Sequence, residues 1–566
     1  MSRGGGQPSA AGTRAPELEA RDRAALAVAV DLARTSGQTR WVARVVEVED
    51  LDALAGYAAA GGQDRFFWEQ VDLGESFCTW GVVDETESAG RRRFGDVRVW
   101  SESVRSRIHW LGPGRSAAAP LFVGGFGFDG EPGASEDWKA FPPARFVLPA
   151  VLGERRRDGA RWVVVARLEP GVSAGAIERE LEGRLEQARS TQARDRGDPF
   201  EDGVEDGLED RRVVHADSHR DPRAAEFLGA SDPAPGRLPA EAMGPEIRVR
   251  SDRAHGVYTA QVERALAEIA SGRLQKVVLA RALRVQTDEA LDVPGFLERL
   301  RELYGSCVLV AVGRGEDTFL AATPETLVRL EGRQLATAAL AGSAPRGRTP
   351  EEDRALGEGL CSSTKDGAEH AHVVDALRSG LAPFCTTLEI PAAPRLRPLF
   401  GIQHLETRIA GRLREDPCPD PDRPFSDSAP VSAVSETEAD RAPDILDLVR
   451  ALHPTPAVGG VPGPAALEWL RRFEGLERGW YAAPLGWLDA EGGGDFRVAL
   501  RSALIRNRPD GRRTDDLQDG HEQEDEIGCR AWLYAGAGIV AGSQPAQELA
   551  ETRMKLRALL APLTEI

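Results

Sequence analysis

The sequence predicts an α+β fold in which layers of β-strands are covered by helices. Short runs of β-branched and aromatic residues, such as 162–166 and 276–281, are bounded by glycine, proline or charged residues, which is typical of strands. Amphipathic stretches rich in alanine and leucine, such as 17–36, have the spacing of helices. Strands come in runs with helices grouped between them, and this order favours helices packed on a sheet.

The elements are clearest from residue 258 onward. There the apolar spacing predicts a helix at about 258–272, a strand opening at 276, a helix at about 293–304, strands at 306–313, 317–322, 326–331 and 334–341, a helix at about 365–380, a strand near 404–412, helices near 444–452 and 464–474, and strands near 481–488 and 495–505. The glycines at 535–539 predict a turn that leads into a closing helix.

Composition excludes several classes of protein. A chain of 566 residues is long enough for several packed layers or more than one domain. Its net charge of −19 argues against nucleic acid or an anionic membrane as the main partner, because either needs a basic patch. Six scattered cysteines without a CxxC pair indicate reduced thiols. With no apolar run near the roughly 20 residues of a spanning helix, we expect a cytoplasmic protein.

Polar, acidic stretches divide the chain. We expect a disordered tail at 1–18, an N-terminal scaffold of mixed strands at 19–245 with an acidic insertion near 188–224, and a catalytic region at 246–566 with acidic insertions near 415–440 and 507–528.

The C-terminal segment contains the clearest pattern of charged residues in the sequence. Glu548, Glu551 and Lys555 stand at i, i+3 and i+7, so they share one helical face. Two carboxylates on one face repel each other unless a cation lies between them, and the lysine favours an anion beyond that cation. Such a face could hold a divalent ion and a carboxylate substrate together. A solvated, charged helix face is the alternative for this segment alone.

A second acidic segment offers a further oxygen ligand. Glu369 lies on a predicted helix next to His370 and His372, whose spacing suits neither a helix-face pair nor a known zinc motif. Oxygen-only ligation by Glu369 together with Glu548 and Glu551 fits Mg²⁺ better.

Two residues of opposite charge are candidates for acid–base chemistry. Lys276 opens an apolar strand, where it is either a strand-end cation in water or a partly desolvated general base. Glu325 follows Pro324 at a corner between two strands, where it is either an exposed turn residue or a general acid with a raised pKa.

Four further positions suggest ligand contacts. Gly342 ends a strand and would let a backbone N–H approach an anion, although it could also be a simple turn. His453 follows a helix in a proline-rich loop and either caps that helix or contacts a ligand. Tyr481 and Arg501 are placed in strands on either side of a Gly-rich hairpin, with Arg501 at a sheet edge or directed at a carboxylate.

Residues from about 246 to the end resemble the chorismate-binding enzymes, which include isochorismate synthases, salicylate synthases, and the synthase components for anthranilate and aminodeoxychorismate. The matching blocks, in order, are KVVLAR (276–281), ATPE (322–325), LAGS (340–343), KDGAEH (365–370), LHPTPA (452–457), RGWYA (478–482), RSA (501–503) and YAGAGIVAGS (534–543). The resemblance implies large antiparallel sheet layers packed as a sandwich with helices on the outside. The N-terminal half resembles the family only loosely.

The resemblance also implies the reaction type. Family members that add water carry a lysine where Lys276 stands, and the anthranilate enzymes carry glutamine there. Ala341 stands where aminodeoxychorismate synthases have a nucleophilic lysine. Water addition is therefore implied, with Lys276 as the base for attack at C2 of chorismate and Glu325 as the acid for the departing C4 hydroxyl.

The same resemblance assigns the other site residues. Glu369 and Glu551 would be Mg²⁺ ligands, with Glu548 reaching the ion directly or through water. The implied substrate contacts are Arg501, Tyr481 and the backbone of Gly536 at the enolpyruvyl carboxylate, Gly342, Ser343 and Lys555 at the ring carboxylate end, and His453 in the pocket wall.

We therefore expect an Mg²⁺-dependent isochorismate synthase, with menaquinone biosynthesis ahead of a siderophore route. A salicylate synthase is the alternative, although 478–487 looks more like the isomerase type; a non-catalytic homologue is the alternative from another class. The family suggests a monomer that needs no glutaminase subunit.

Overall fold

The computed structural model describes residues 18–112, 120–157, 159–195, 247–416, 441–507 and 528–564. All but the last residue of the predicted tail, and most of the three predicted acidic insertions, lie outside the described residues. Residues 188–195, at the start of the first predicted insertion, belong to a helix that runs from Ala174 to Asp195. The reason is an apolar stripe on that helix that ends at Ala188, which is fully buried.

The strands in chain order are β1 (Arg40–Val48), β2 (Arg65–Gln70), β3 (Glu75–Ser88), β4 (Ile108–Leu111), β5 (Pro120–Phe126), β6 (Ala144–Arg156), β7 (Gly159–Leu168), β8 (Arg248–Ser251), β9 (Lys276–Thr287), β10 (Val308–Arg314), β11 (Asp317–Thr323), β12 (Thr326–Glu331), β13 (Gln334–Pro345), β14 (Cys385–Glu389), β15 (Arg395–Leu399), β16 (Ile402–Leu413), β17 (Gly460–Val461), β18 (Pro484–Asp489), β19 (Gly494–Val498), β20 (Ser502–Asn507) and β21 (Cys529–Val540). The helices are α1 (Ala20–Ser36), α2 (Ala53–Ala59), α3 (Arg93–Arg105), α4 (Ala174–Asp195), α5 (His255–Ala270), α6 (Val293–Leu303), α7 (Pro350–Ser362), α8 (Thr364–Leu381), α9 (Ile445–Leu452), α10 (Gly463–Phe473) and α11 (Pro545–Thr564).

The strands form two layers that share β6. The first layer runs β4-β1-β7-β6-β3-β2-β10-β11-β20-β21-β9, with β8 and β17 both on the far edge of β9. The second runs β6-β5-β18-β19-β12-β13-β16, with β14 and β15 on the far edge of β16. Every pair is antiparallel except β1–β4, so the expected antiparallel fold with helices is confirmed.

The first layer is buried on both faces. In β10, Val308, Val310 and Val312 belong to one apolar cluster, whereas Leu309 and Ala311 belong to another. Because successive strand residues point to opposite faces, this alternation separates the core between the layers from a second core beneath the helices. The residues of β10 therefore read as a continuous apolar run.

Aromatic side chains join the two layers. Phe77 of β3 meets the ring of Trp487 of β18 edge-on, with centroids 6.3 Å apart. The guanidinium of Arg497 in β19 lies over the ring of Trp68 in β2 at 5.7 Å. Since β2, β3 and β5 come from the predicted N-terminal scaffold and pair or pack with later strands, both predicted regions contribute to one sandwich.

Three local predictions were wrong. The glycines at 535–539 lie inside β21, not in a turn. Tyr481 precedes β18 and Arg501 lies between β19 and β20, so neither is in a strand. The chain leaves the extended conformation there because Ala482 and Arg501 have positive φ values of 61° and 47°.

Helix α7 was not among the predicted elements. Thr349 caps it, with its hydroxyl accepting a hydrogen bond from the Glu352 N–H at 3.2 Å. Pro350 stands in its first turn together with three acidic residues. Among the described residues, no helix is both long and apolar enough to span a bilayer.

Candidate active site

The site is built at the start of β9, where that strand pairs with the end of β21. The register places Lys276 opposite Val540 and Val278 opposite Gly538. A Cβ on Gly538 would lie 2.5 Å from Oε1 of Glu369 and 3.2 Å from Cε of Lys276. Glycine is therefore needed in the interior of β21 because the side chains of Lys276 and Glu369 use the space of its missing side chain.

Lys276 is fully buried and forms an ion pair with a residue of α8. Its Nζ lies 2.7 Å from Oε1 of Glu369, and their side chains are 1% and 16% exposed. Burial raises the pKa of Glu369, but the charges of Lys276, and then of Lys555 and Lys365, outweigh it and leave the pKa below its ordinary value. Glu369 is therefore a carboxylate surrounded by ammonium groups.

Helix α11 carries the predicted acidic residues Glu548 and Glu551, and it packs beside the start of β9. Nζ of Lys365 lies 3.3 Å from Oε1 of Glu548, and Nζ of Lys555 lies 2.7 Å from Oε1 of Glu551. Lys555 also donates a hydrogen bond of 3.0 Å to the carbonyl of Gly536. Each of the three predicted metal ligands thus has a lysine beside it, and the charges of Lys555 and Lys365 also act on Glu369.

The side chain of Glu548 is the least exposed of the three carboxylates. Burial raises its pKa; a hydrogen bond to Ser543 and the charge of Lys365 oppose the rise, and the neighbouring Glu551 adds to it. The side chain of Glu548 is only 2% exposed. A buried carboxylate beside a second carboxylate is stabilised by any cation that reaches it.

Glu325 is a buried acid in the same region. It is 5% exposed, its N–H is bonded to Oγ1 of Thr323 at 3.2 Å, and its carbonyl accepts the N–H of Val498 at 3.1 Å. Burial raises the pKa of Glu325 to about 7, although Lys276 and Lys555 act in the opposite direction. The exposed-turn alternative is therefore excluded, and the side chain can deliver a proton near neutrality.

Tyr481 lies against β21. Its ring stacks on Tyr534 with centroids 5.2 Å apart, and its hydroxyl lies 3.0 Å from the position of a Cβ on Gly536. Burial raises its pKa, with Arg478 lowering it and Glu474 and Glu325 adding to the rise. The hydroxyl therefore stays protonated and can donate to an anion.

Gly342 and Ser343 form a bulge with an unpredicted partner, His404. Gly342 has a φ of 76°, and the register of β13 against β16 shifts between Ala341 and Ser343. Nδ1 of His404 lies 2.9 Å from Oγ of Ser343 and 3.2 Å from the carbonyl of Gly342. Burial, and then Arg501 and Lys555, lower the pKa of His404 to about 3, so the imidazole is neutral.

The guanidinium of Arg501 contacts two residues that follow α6. Its Nη1 lies 3.4 Å from Sγ of Cys307, and its guanidinium lies 5.5 Å from the ring centroid of Tyr304. Its charge also lowers the pKa of His404. Arg501 therefore lies on the Gly342–His404 side of the site, where its guanidinium could bind a carboxylate.

His453 lies against Phe128, just after the end of β5. Its Nε2 lies 3.1 Å from the carbonyl of Phe128, and its ring meets the Phe128 ring edge-on at 5.7 Å. It is the C-cap of α9, and burial, with Arg93 and Arg478 nearby, lowers its pKa to about 3. These contacts place the ring against Phe128, whose own ring lies under the guanidinium of Arg478 at 4.2 Å. The pocket-wall role of His453 stays a prediction.

The donor chemistry at the three carboxylates fits a hard divalent cation. All ligands would be oxygens from two facing helices, as Mg²⁺ prefers. Within the described ranges, however, no three His, Cys, Asp or Glu side chains are close enough to hold a metal ion as they stand. His370 is bonded to Thr407 instead, at 2.8 Å. A metal ion would have to replace lysine contacts with these carboxylates.

Comparisons with known proteins show the family of this chain. Residues 25–210, 233–418 and 430–564 match the family model described as chorismate binding enzyme, and the chain belongs to that family.

Two relatives align with nearly the whole chain. The "Salicylate biosynthesis isochorismate synthase" of Pseudomonas aeruginosa is 34% identical over 534 residues, covering 93% of this chain and 90% of the relative. "Isochorismate synthase MenF" of Bacillus subtilis is 28% identical over 526 residues, covering 91% of this chain and 92% of the relative.

A solved structure confirms the architecture. The menaquinone-specific isochorismate synthase MenF of Escherichia coli superposes with a TM-score of 0.62 at 23% identity, covering 95% of this chain and 100% of that chain. At this identity the likeness supports the fold alone.

Proposed function

We propose that the protein is an Mg²⁺-dependent isochorismate synthase that releases isochorismate. The observation that carries the proposal is the buried pair of Lys276 and Glu325, an amine and a carboxyl group placed in one site with the pKa of Glu325 raised to about 7. Both near-full-length relatives are named isochorismate synthases. Ala341 stands where an aminodeoxychorismate synthase would need a nucleophilic lysine.

The two side chains divide the reaction between them. The reacting form has Lys276 as a neutral amine and Glu325 as a protonated acid, and it holds as many protons as the form in which Lys276 is an ammonium and Glu325 a carboxylate. Lys276 accepts a proton from water as the water oxygen bonds to C2 of chorismate. The ring double bonds shift, and the C–O bond at C4 breaks. Glu325 gives its proton to the departing C4 hydroxyl, which leaves as water. One water enters and one leaves, so the product is an isomer of the substrate.

Glu369, Glu548 and Glu551 would hold Mg²⁺, which would supply positive charge to the ring carboxylate. Lys555, next to Glu551, would contact the same carboxylate, since its ammonium is already positioned by the carbonyl of Gly536.

Arg501 and Tyr481 would bind the enolpyruvyl carboxylate. The first would supply a guanidinium with several donors and the second a protonated hydroxyl. Ser343, oriented by the neutral His404, would contribute a donor at the bulge of Gly342.

We propose menaquinone supply as the first biological role to test, since the Bacillus subtilis MenF aligns over 92% of its length. Salicylate biosynthesis is the second, because the Pseudomonas aeruginosa relative is named for it and is 34% identical.

The test is incubation of the purified protein with chorismate, with Mg²⁺ or with EDTA, followed by chromatography of the products and a coupled assay for pyruvate. Isochorismate formed only with Mg²⁺ and without pyruvate supports the proposal. Pyruvate released without a second protein would make the enzyme a salicylate synthase. Chorismate that stays unchanged in the presence of Mg²⁺ would refute both.

A further inference from the structure

The three lysine–glutamate pairs of the site are not equivalent. Lys276 and Lys555 approach their carboxylates to 2.7 Å, whereas Lys365 lies 3.3 Å from Glu548. The side chain of Lys276 is 1% exposed and that of Lys555 is 28% exposed, but that of Lys365 is 41% exposed. Lys365 is therefore the ammonium most able to move into water.

The two partners of this pair differ in how well water solvates them. An exposed ammonium is well solvated without its partner, so Lys365 loses little when this pair opens. Glu548 is 2% exposed and has Glu551 beside it, so it loses much more when its cation leaves. The ionised form of Glu548 is thus stabilised by a cation beside it, and that cation need not be Lys365.

The residue type at 365 supports this role. The chain has only four lysines among its 71 basic residues, and three of them form this site. Among the described residues outside the site, the ion pairs are made by arginine except for Lys139–Glu136. A lysine ammonium is compact and on a flexible stem, so it can leave one carboxylate oxygen, whereas the planar guanidinium binds a carboxylate with two bonds.

We propose that Lys365 is a resident counter-ion of Glu548 that competes with the divalent cation for this carboxylate and so sets the metal affinity of the enzyme. The inference rests on the metal site of the proposed function. When the metal ion binds, the ammonium of Lys365 moves to solvent and Glu548 exchanges one cation for another. When the ion leaves, Lys365 returns and keeps the carboxylate neutralised.

The experiment is a titration of the whole protein with Mn²⁺ as a spectroscopic substitute for Mg²⁺, without substrate, in which free Mn²⁺ is measured by its electron paramagnetic resonance signal. Lys365→Met keeps the length of the side chain and removes the charge. We expect it to bind Mn²⁺ at least about fivefold more tightly than the wild type, which corresponds to roughly 1 kcal/mol. Lys365→Arg keeps the charge and should bind no more tightly than the wild type.

The control variant is Lys139→Met, which removes the one lysine outside the site, where its side chain is 77% exposed and paired with Glu136. It should leave Mn²⁺ affinity unchanged, and thermal unfolding of every variant in EDTA confirms that each is folded. Wild-type protein that binds Mn²⁺ with an affinity that Lys365→Met does not increase would overturn the role of Lys365 and leave the proposed function standing. Wild-type protein that binds no Mn²⁺, alone or with chorismate, would overturn the metal site itself.

Discussion

Replacement of Glu325 by glutamine separates catalysis from stability more sharply than any other change in this site. The substitution keeps the shape of the side chain and removes the proton that it would give to the C4 hydroxyl. We expect turnover of chorismate to fall by at least about 100-fold, the lower end of what general acids contribute. The same substitution should make the fold more stable at alkaline pH.

The size of the stability effect follows from the buried position of the carboxyl. Burial raises the pKa of Glu325 from 4.5 to about 7. The folded protein therefore binds a proton that the unfolded chain has already lost, and stability falls as the pH rises from about 4.5 to about 7. Each pH unit in that window corresponds to about 1.4 kcal/mol, so the ionised side chain destabilises the fold by about 3 kcal/mol above pH 7.

The measurement is urea unfolding of the wild type and Glu325→Gln at several pH values between 4 and 8.5. The free energies of unfolding should differ little at pH 4, and the variant should gain about 3 kcal/mol relative to the wild type by pH 8. Glu136→Gln is the matched control, because that side chain is 80% exposed and its replacement should give no such gain.

The pH dependence of kcat in the wild type should also report the ionisation of the Glu325 carboxyl. Since the reacting form needs Glu325 protonated and Lys276 neutral, the slope of log kcat against pH should change near pH 7, where Glu325 ionises, and this change should be absent from Glu325→Gln. A stability difference between the two proteins that does not change with pH would contradict the assigned burial. A variant that keeps most of its kcat would contradict the role as acid.

Three other changes test neighbouring parts of the argument. Lys276→Ala should abolish turnover while circular dichroism shows a folded protein, since no other buried amine faces Glu369. Gly538→Ala should lower kcat/KM at least about tenfold, because its Cβ would meet Glu369 at 2.5 Å; Gly183→Ala, where nothing lies within 4 Å, should not. Phe126→Ala should lower the free energy of unfolding by about 3–5 kcal/mol without changing KM, because the ring is fully buried in the core between the layers.

The parts of the site that sequence reasoning predicted well lie on regular elements. Glu548, Glu551 and Lys555 share a face of α11, as their spacing requires. Lys276 opens a buried strand, as its apolar neighbours indicated. In these cases the period of a single element determines which side chains can act together.

The parts that were missed depend on partners far away in the chain. His404 lies in a strand whose register against β13 brings it to Ser343, 61 residues earlier. A histidine within an apolar strand was the one local signal, and no periodicity shows what it faces. Conversely, the loop that holds His453 looked suited to a ligand, and only the fold shows that Phe128 accepts its hydrogen bond.

Glycine was the residue most often misread. The glycines of β21 predicted a turn because glycine weakens strands. The structure shows that two side chains from other elements, Tyr481 and Glu369, fill the space above Gly536 and Gly538. Helix α7 was missed although Thr349 and Pro350 are a regular start signal, because that signal was not followed by a clear apolar stripe.

The charges of the site imply that metal and substrate bind cooperatively. In the resting site, with Glu325 protonated and Lys276 still an ammonium, four cationic groups face three carboxylates, which leaves a net charge of about +1: the cations are Lys276, Lys365, Lys555 and Arg501, and the carboxylates are Glu369, Glu548 and Glu551.

A divalent cation alone raises this charge by two, and a substrate dianion alone lowers it by two, whereas together they restore it. Each should therefore bind more tightly in the presence of the other, and by the same factor. Glu325→Gln can bind chorismate without consuming it, so calorimetry with and without Mg²⁺, and Mn²⁺ titration with and without chorismate, measure both sides of this coupling. A coupling of at least about fivefold is expected; affinities for chorismate that are equal with and without Mg²⁺ would show that the three carboxylates do not hold the ion next to the substrate.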